Sequence, residues 1–303
     1  NPDLLNRFQV SMDEQNRQRY IKLAGGFRCI RDAYVGFADD NRIELYAPVA
    51  DAVGSLSSRP LLFFAVQAQK VPTWSLAPHV VVIRLGKLPL HIWFAKMVAI
   101  SVAPSQHGVI IEADSVITQH CDSLFGIVSR FCGPHPLLAL HPAQDRPSVV
   151  IPLEQRSTPF LHAHAVWTHR ARLFAERILR HCSKETGTGF EDRLPAIDCT
   201  SDEDAMTTAL WNAKYSSYLC VFDPFFLKPE LDDWAARRPL SQDQPSQAFF
   251  IVHGAKSMGD LASSLSLVKR ATKAFPVWAD GNYSQDANWC AKDLDPAWLC
   301  EEE

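Results

Sequence analysis

Two acidic residues one position apart, Glu112-Ala113-Asp114, follow directly on the apolar run Val109-Ile110-Ile111. Ionised carboxylates at the end of a buried strand must be paired or bound to a cation, because burial without a partner is costly. Hard oxygen ligands of this kind suit Mg²⁺ or Mn²⁺, and such a cation bridges readily to the phosphates of a nucleotide. A second group, His253-Gly254-Ala255-Lys256, also closes an apolar run. There an imidazole could complete a metal's coordination, Gly254 could let backbone approach a phosphate, and Lys256 supplies a compact positive charge. A third is the acidic start Ser201-Asp202-Glu203-Asp204-Ala205-Met206. Each group also has an ordinary reading: a loop opening with two acids, a His-Gly turn, a capped helix with a favourable dipole.

Such residues need a frame to bring them together. Leu61–Val66 and Val80–Ile83 are continuous apolar runs of strand length, expected to be buried on both faces. Between Pro89 and Val102, apolar residues recur at three- and four-residue spacing, which predicts a helix leading into the strand Val109–Ile111. This order of elements is that of an α/β protein with a mixed or parallel sheet. Further strands are expected at Val149–Ile151, Ala163–Trp167 and Ala248–Val252, and helices at Thr168–Cys182 and Asp202–Ala213. Asn1–Lys22 is helix-compatible up to the Gly25-Gly26 break. Residues 27–58 read as loops and small elements, Glu185–Pro195 and Pro239–Ser246 as loops. Arg170, Arg172, Arg177 and Arg180 read as the solvated side of a helix.

The chain has 303 residues, 47% of them hydrophobic and 21% charged, as in an ordinary globule. A net charge of -4 provides no basic field for nucleic acid, which is not expected as a partner. No apolar run reaches the ~18–20 residues of a membrane span. Because the chain starts at Asn1 rather than Met, it is read as a trimmed product from which a signal or anchor could have been removed. Eight cysteines without a CxxC pair do not support zinc-ribbon or thioredoxin-like motifs. They permit disulfides, for example Cys182–Cys199 or Cys290–Cys300, and equally permit buried thiols. With the sequon Asn282-Tyr283-Ser284, the reading leans to the secretory lumen, with the Golgi as the expected compartment.

The stretch from Lys96 through Val109–Ile117, with the Glu112-Ala113-Asp114 triplet, to Asp122-Ser123-Leu124-Phe125 resembles the GT-A-type nucleotide-diphospho-sugar glycosyltransferases. The likeness is greatest to their glycogenin-like retaining branch, which shows a Lys-bearing helix, a strand, a DxD motif and an acidic residue before Leu-Phe. Asp202-Glu203-Asp204-Ala205 is similar to that branch's DQD-type helix start, and His253-Gly254-Ala255-Lys256 to its HxxGxxK-like clamp. The resemblance covers about residues 60–260. It divides the chain into an N-terminal extension and domain start (1–59), a nucleotide-sugar- and acceptor-binding core (60–260) and a tail packing on it (261–303). Three departures stand out: Glu112 replaces an Asp, the His-Gly-Lys element is compressed, and no counterpart of the first nucleotide-binding strand is legible before residue 60.

The resemblance implies a single Rossmann-like mixed sheet flanked by helices. It also implies sugar transfer from a UDP- or GDP-sugar to a hydroxyl of a glycan or glycoprotein acceptor. Glu112, Asp114 and His253 would hold Mn²⁺ or Mg²⁺, which clamps the diphosphate. Lys96, Ala113, Gly254 and Lys256 would contact the donor. Asp202 or Asp204 would orient the sugar or stabilise an oxocarbenium-like centre, with configuration retained; as a base, one of them would give inversion instead. A non-catalytic sugar- or nucleotide-binding module on the same fold is the alternative. A phosphohydrolase is disfavoured for want of a second His/Asp motif pair. His162 and His164 alternate on one strand and could line an acceptor site or bind metal. Trp74, Trp93, Trp167 and Trp211 could stack on sugar rings but read first as core; Asp39-Asp40 reads as a turn, and Phe225-Phe226 after Asp223-Pro224 as packing residues.

Overall fold

The structure is a computed structural model describing residues 2–27, 29–88, 90–113, 115–117, 121–122, 124–125, 138–142, 161–168, 171–183, 197–210, 219–221 and 251–253. It is α/β, with a mixed central sheet flanked by helices, as expected. In chain order the strands are β1 (Val10–Ser11), β2 (Ile30–Ala38), β3 (Leu61–Val66), β4 (Val80–Leu85), β5 (Ser105–Ile110), β6 (Ser115–Ile117), β7 (Leu138–Pro142), β8 (Leu161–Thr168), β9 (Leu219–Val221) and β10 (Ile251–His253). The helices are α1 (Pro2–Phe8), α2 (Glu14–Ala24), α3 (Ala47–Leu56), α4 (Ala95–Val102), α5 (Ala171–Cys182) and α6 (Asp202–Leu210). Eight strands form one sheet in the order β1-β4-β3-β2-β5-β8-β7-β9, and β10 pairs with β6 in a second, two-stranded sheet.

Strands β4, β3, β2 and β5 run parallel, so their carboxyl ends share one edge. β3 is buried along its whole length. Leu62, Phe64 and Val66 pack on one side, with α4, α5 and α6. Leu61, Phe63 and Ala65 pack on the other, with α3. The chain therefore crosses from β2 to β3 on the α3 face and returns from β4 to β5 on the α4 face. Neighbours β2 and β5 send their connections in opposite directions, which makes the gap between their carboxyl ends the switch point of the sheet.

β2 is a long strand within the stretch 27–58 that the sequence suggested as loops and small elements, and it lies at the centre of the parallel sheet. Its run Ile30-Arg31-Asp32-Ala33-Tyr34-Val35-Gly36-Phe37-Ala38 is interrupted by charge and glycine, so it lacks the signature of a buried strand. Gly36 is required there, because a Cβ would run into the Tyr46 ring. Gly108 on β5 serves the same purpose under the indole of Trp167. α3 likewise replaces the small elements expected within 27–58. Two other expectations fail on burial. Arg172 is not solvated but donates to the carbonyls of Ala103 and Ser105, and burial pulls its pKa down to about 10. Trp93 is 43% exposed and lies tilted against His91, with ring centroids 4.1 Å apart, whereas Trp74 and Trp167 are core.

Val149–Ile151, the loops at 185–195 and 239–246, Trp211, Asp223–Phe226, Cys290, Cys300, the sequon and residues 261–303 lie outside the described residues, apart from the backbone of β9 just before Asp223. Among the described residues no helix is long and apolar enough to cross a membrane.

Candidate functional site

The switch point is built around Tyr46. Its buried hydroxyl accepts the Phe37 N–H at 3.1 Å and donates to the Ile111 carbonyl at 2.5 Å, tying the end of β2 to the residue before Glu112. Ile111 N–H donates to the Val35 carbonyl at 2.9 Å, so the pairing of β5 with β2 continues up to the acidic triplet. Beside it Asp39 and Asp40 form the turn the sequence suggested. The Asp39 carbonyl accepts from Arg42 and Ile43 N–H, and the Asp40 carboxylate accepts from Gln69 and Lys70 N–H at 3.0–3.1 Å.

Lys96 stands in the first turn of α4 with 3% exposure, and its ammonium meets two carboxylates. Nζ lies 2.7 Å from Glu112 Oε1 and 2.7 Å from Asp202 Oδ2. Three segments distant in sequence thus converge on one buried cation. A lysine near a helix N-terminus opposes the helix dipole and loses hydration on burial, so it needs such partners. Burial alone would lower its pKa, but Asp202 and then Glu112 outweigh that and hold it above the ordinary lysine value. Asp202 is also buried, and the loss of hydration raises its carboxyl above the usual range. The Lys96 charge opposes the rise, and the nearby Glu112 adds to it. One cation against two carboxylates leaves the trio with a net negative charge when both are ionised.

α6 presents Asp202 through a structured entry. The Ser201 hydroxyl accepts the Asp204 N–H at 3.0 Å and donates to Asp204 Oδ2 at 2.6 Å, so the Asp204 carboxylate is engaged in the cap. Before it, Asp198 Oδ1 accepts from Thr200 N–H and hydroxyl, and Asp198 N–H donates to Thr208 Oγ1. A disulfide joins Cys182, the last residue of α5, to Cys199.

The late strand reaches the same neighbourhood. β10 pairs antiparallel with β6, with Ile251 opposite Ile117 and His253 opposite Ser115. His253 is therefore placed at register beside the residue following Asp114. Asp114, Gly254 and Lys256 lie outside the described residues, as do the side chains of His253, His162 and His164. Ala113 is half-buried at the edge of the α3-side core. On β8, Val166 opposes Val109 in antiparallel register, which puts positions 164 and 162 toward the carboxyl end of β5. Among the described residues no three His, Cys, Asp or Glu form a metal-binding group. Asp122 sits elsewhere: it accepts from Tyr34 and Ser57 hydroxyls at 2.6 and 2.5 Å, and latches the entry of β3.

Sequence spacing could nominate Lys96, Glu112 and Asp202 separately but could not pair them. Tyr46 carries no motif at all. The nearest signal is the glycine at 36, which makes room for its ring.

No family model and no curated protein matches the chain. Solved structures are similar to it at low identity. One is the galactosyltransferase LgtC in complex with donor and acceptor sugar analogues: 12% identity, 83% of this chain and 98% of that chain covered, TM-score 0.49. Another is the glycosyltransferase GlyE of Streptococcus pneumoniae TIGR4, with 13% identity, 83% and 66% covered, and TM-score 0.45. A third is a glycosyltransferase involved in glycosylation of the major capsid of PBCV-1, with 9% identity, 77% and 99% covered, and TM-score 0.44. Likenesses this loose assign nothing to the chain by themselves.

Proposed function

We propose that the chain is the catalytic domain of a divalent-metal-dependent glycosyltransferase that takes its sugar from a UDP- or GDP-linked donor, with retention of configuration. One observation carries the reading: buried Lys96 gathers Glu112 and Asp202 at the sheet's switch point, while β10 runs alongside β6 with His253 in register beside the acidic triplet. Open α/β sheets bind ligands at that place. Two carboxylates against one ammonium also favour a further cation there.

Asp114 and His253, with Glu112 where its second oxygen permits, would hold Mn²⁺ or Mg²⁺; oxygen ligands plus one imidazole suit either ion. Bound there, the ion would supply Lewis-acid stabilisation of charge on the departing nucleotide diphosphate. Gly254 and Lys256 would meet the diphosphate, Ala113 would offer backbone to the donor, and Lys96 would fix Glu112 and Asp202 from beneath. Asp202, rather than the cap-engaged Asp204, would face the reacting sugar and stabilise positive charge at its anomeric carbon. A glycan or glycoprotein hydroxyl would be the acceptor. The secretory lumen is the proposed compartment, supported by the Cys182–Cys199 disulfide.

A second reading, a sugar- or nucleotide-binding module without turnover, is favoured by one contact: Lys96 occupies a Glu112 oxygen that a metal would otherwise use. A panel of UDP- and GDP-sugars, with Mn²⁺ and with chelator, separates the two. Metal-dependent release of nucleotide by the wild type, absent in Asp114→Ala, supports the enzyme. Tight nucleotide binding without release supports the module, and absence of both contradicts both.

A further inference from the structure

Asp202 is the first residue of its helix, and its approach to Lys96 depends on how residues 197–201 are anchored. Among the described residues, the hydrogen bonds of 197–201 all stay within 197–208. Asp198 binds Thr200 and Thr208, and Ser201 binds Asp204 and Ala205. They shape the turn, Ile197 at its start is buried in the core, and a covalent tie joins the turn to α5. Cys199, three residues before Asp202, is bonded to Cys182 at the buried end of α5, and α5 packs on α4, the helix that carries Lys96.

We infer that Cys182 and Cys199 are positioning residues: their disulfide holds the entry of α6 against α5 so that Asp202 reaches Lys96, and the site is fully assembled only in the oxidised chain. Opening the bond takes two electrons and two protons from a dithiol reductant and leaves two thiols, with the reductant oxidised to its own disulfide. The turn then keeps its internal hydrogen bonds but can slide on the end of α5. A displacement of about 1 Å at a charge-stabilising group costs roughly 100-fold in rate. The inference builds on the transferase reading for its kinetic readout only.

The test compares wild type with Cys182→Ala/Cys199→Ala in the full chain, folding being checked by thermal melting. Two quantities are read: kcat and KM for whichever donor the panel identifies, and acylation of Lys96 by an amine-reactive reagent, followed by peptide mass spectrometry. In the oxidised wild type, burial and two carboxylates shield Lys96. The expected result is a fall in kcat of roughly 10- to 100-fold with KM changed less than about threefold, together with several-fold faster acylation of Lys96. Unchanged kcat and an unlabelled Lys96 in the folded variant would overturn the inference. So would a fall in kcat with no change at Lys96, which would point to general loosening.

If the double variant does not fold, the wild type titrated with dithiothreitol decides, with reduction read separately at Cys182/Cys199 and at Cys29, which is also disulfide-bonded. Rate and Lys96 labelling must then track the 182/199 pair; a response that tracks Cys29 contradicts the assignment. Should no donor be turned over, the transferase reading fails by itself, and labelling alone still judges the positioning role.

Discussion

Lys96 is a buried charge that only its partners make tolerable, so its removal has two effects that separate by pH. Lys96→Met leaves Glu112 and Asp202 facing each other without a cation, and stability should fall by roughly 3–5 kcal/mol near neutral pH. Without the ammonium both carboxyls take up protons more readily in the fold, so the deficit against wild type should shrink as pH falls through the carboxylate range. Denaturant melts at pH 7 and pH 4 check this; an equal deficit at both would refute the paired-charge account. In the wild type the Lys96 pKa is raised. While its two partners are ionised, its stabilising contribution is therefore fully present up to the ordinary lysine pKa near 10.4 and is lost on the alkaline side as pH rises through the higher folded value. Asp202 is raised too, because of burial, so an activity needing its carboxylate should show an acid limb above the ordinary aspartate range. Asp202→Asn removes the charge but not the shape, and should cost about 100-fold or more in kcat; an effect on KM alone would assign Asp202 to binding.

At the scale of elements, Tyr46 links three parts: the 3-10 helical turn Ile43–Tyr46, the end of β2 and the residue before Glu112. Tyr46→Phe keeps the ring under Gly36 but leaves a buried N–H and a buried carbonyl without this partner. It should cost roughly 1–3 kcal/mol by denaturant melt and weaken nucleotide binding, since the acidic triplet loses its anchor. A variant as stable as wild type would show that water replaces the hydroxyl. β3, β4, β5, α4, α5 and α6 were legible in the sequence because burial on two faces and helical spacing leave plain patterns. β2 was not, since its Arg31 and Asp32 belong to an ion-pair cluster with Arg59 and His107 at the amino edge. Trp93 was misread for a related reason: it follows the apolar period of the Pro89–Val102 stretch but stands before α4, in a turn where that period no longer sets burial. The site was half legible. Glu112 and Asp202 announce themselves as acids at element ends, whereas the lysine joining them is fixed by packing between distant helices.

At the scale of the whole molecule, the proposed meeting place of a nucleotide sugar and its metal is the switch point over the carboxyl ends of β2 and β5, beside the Lys96 trio and the β6–β10 pair. The strand order makes this edge the switch point, and the Lys96–Glu112–Asp202 trio beside it carries a net negative charge when both acids are ionised. A crystal soaked with UDP or GDP and Mn²⁺ tests this most directly. The account predicts nucleotide density over the ends of β2 and β5, with the metal peak touching Asp114 and His253 and the diphosphate beside Gly254 and Lys256. Density at another edge of the sheet, or a metal peak away from the 112–114 turn, would contradict it.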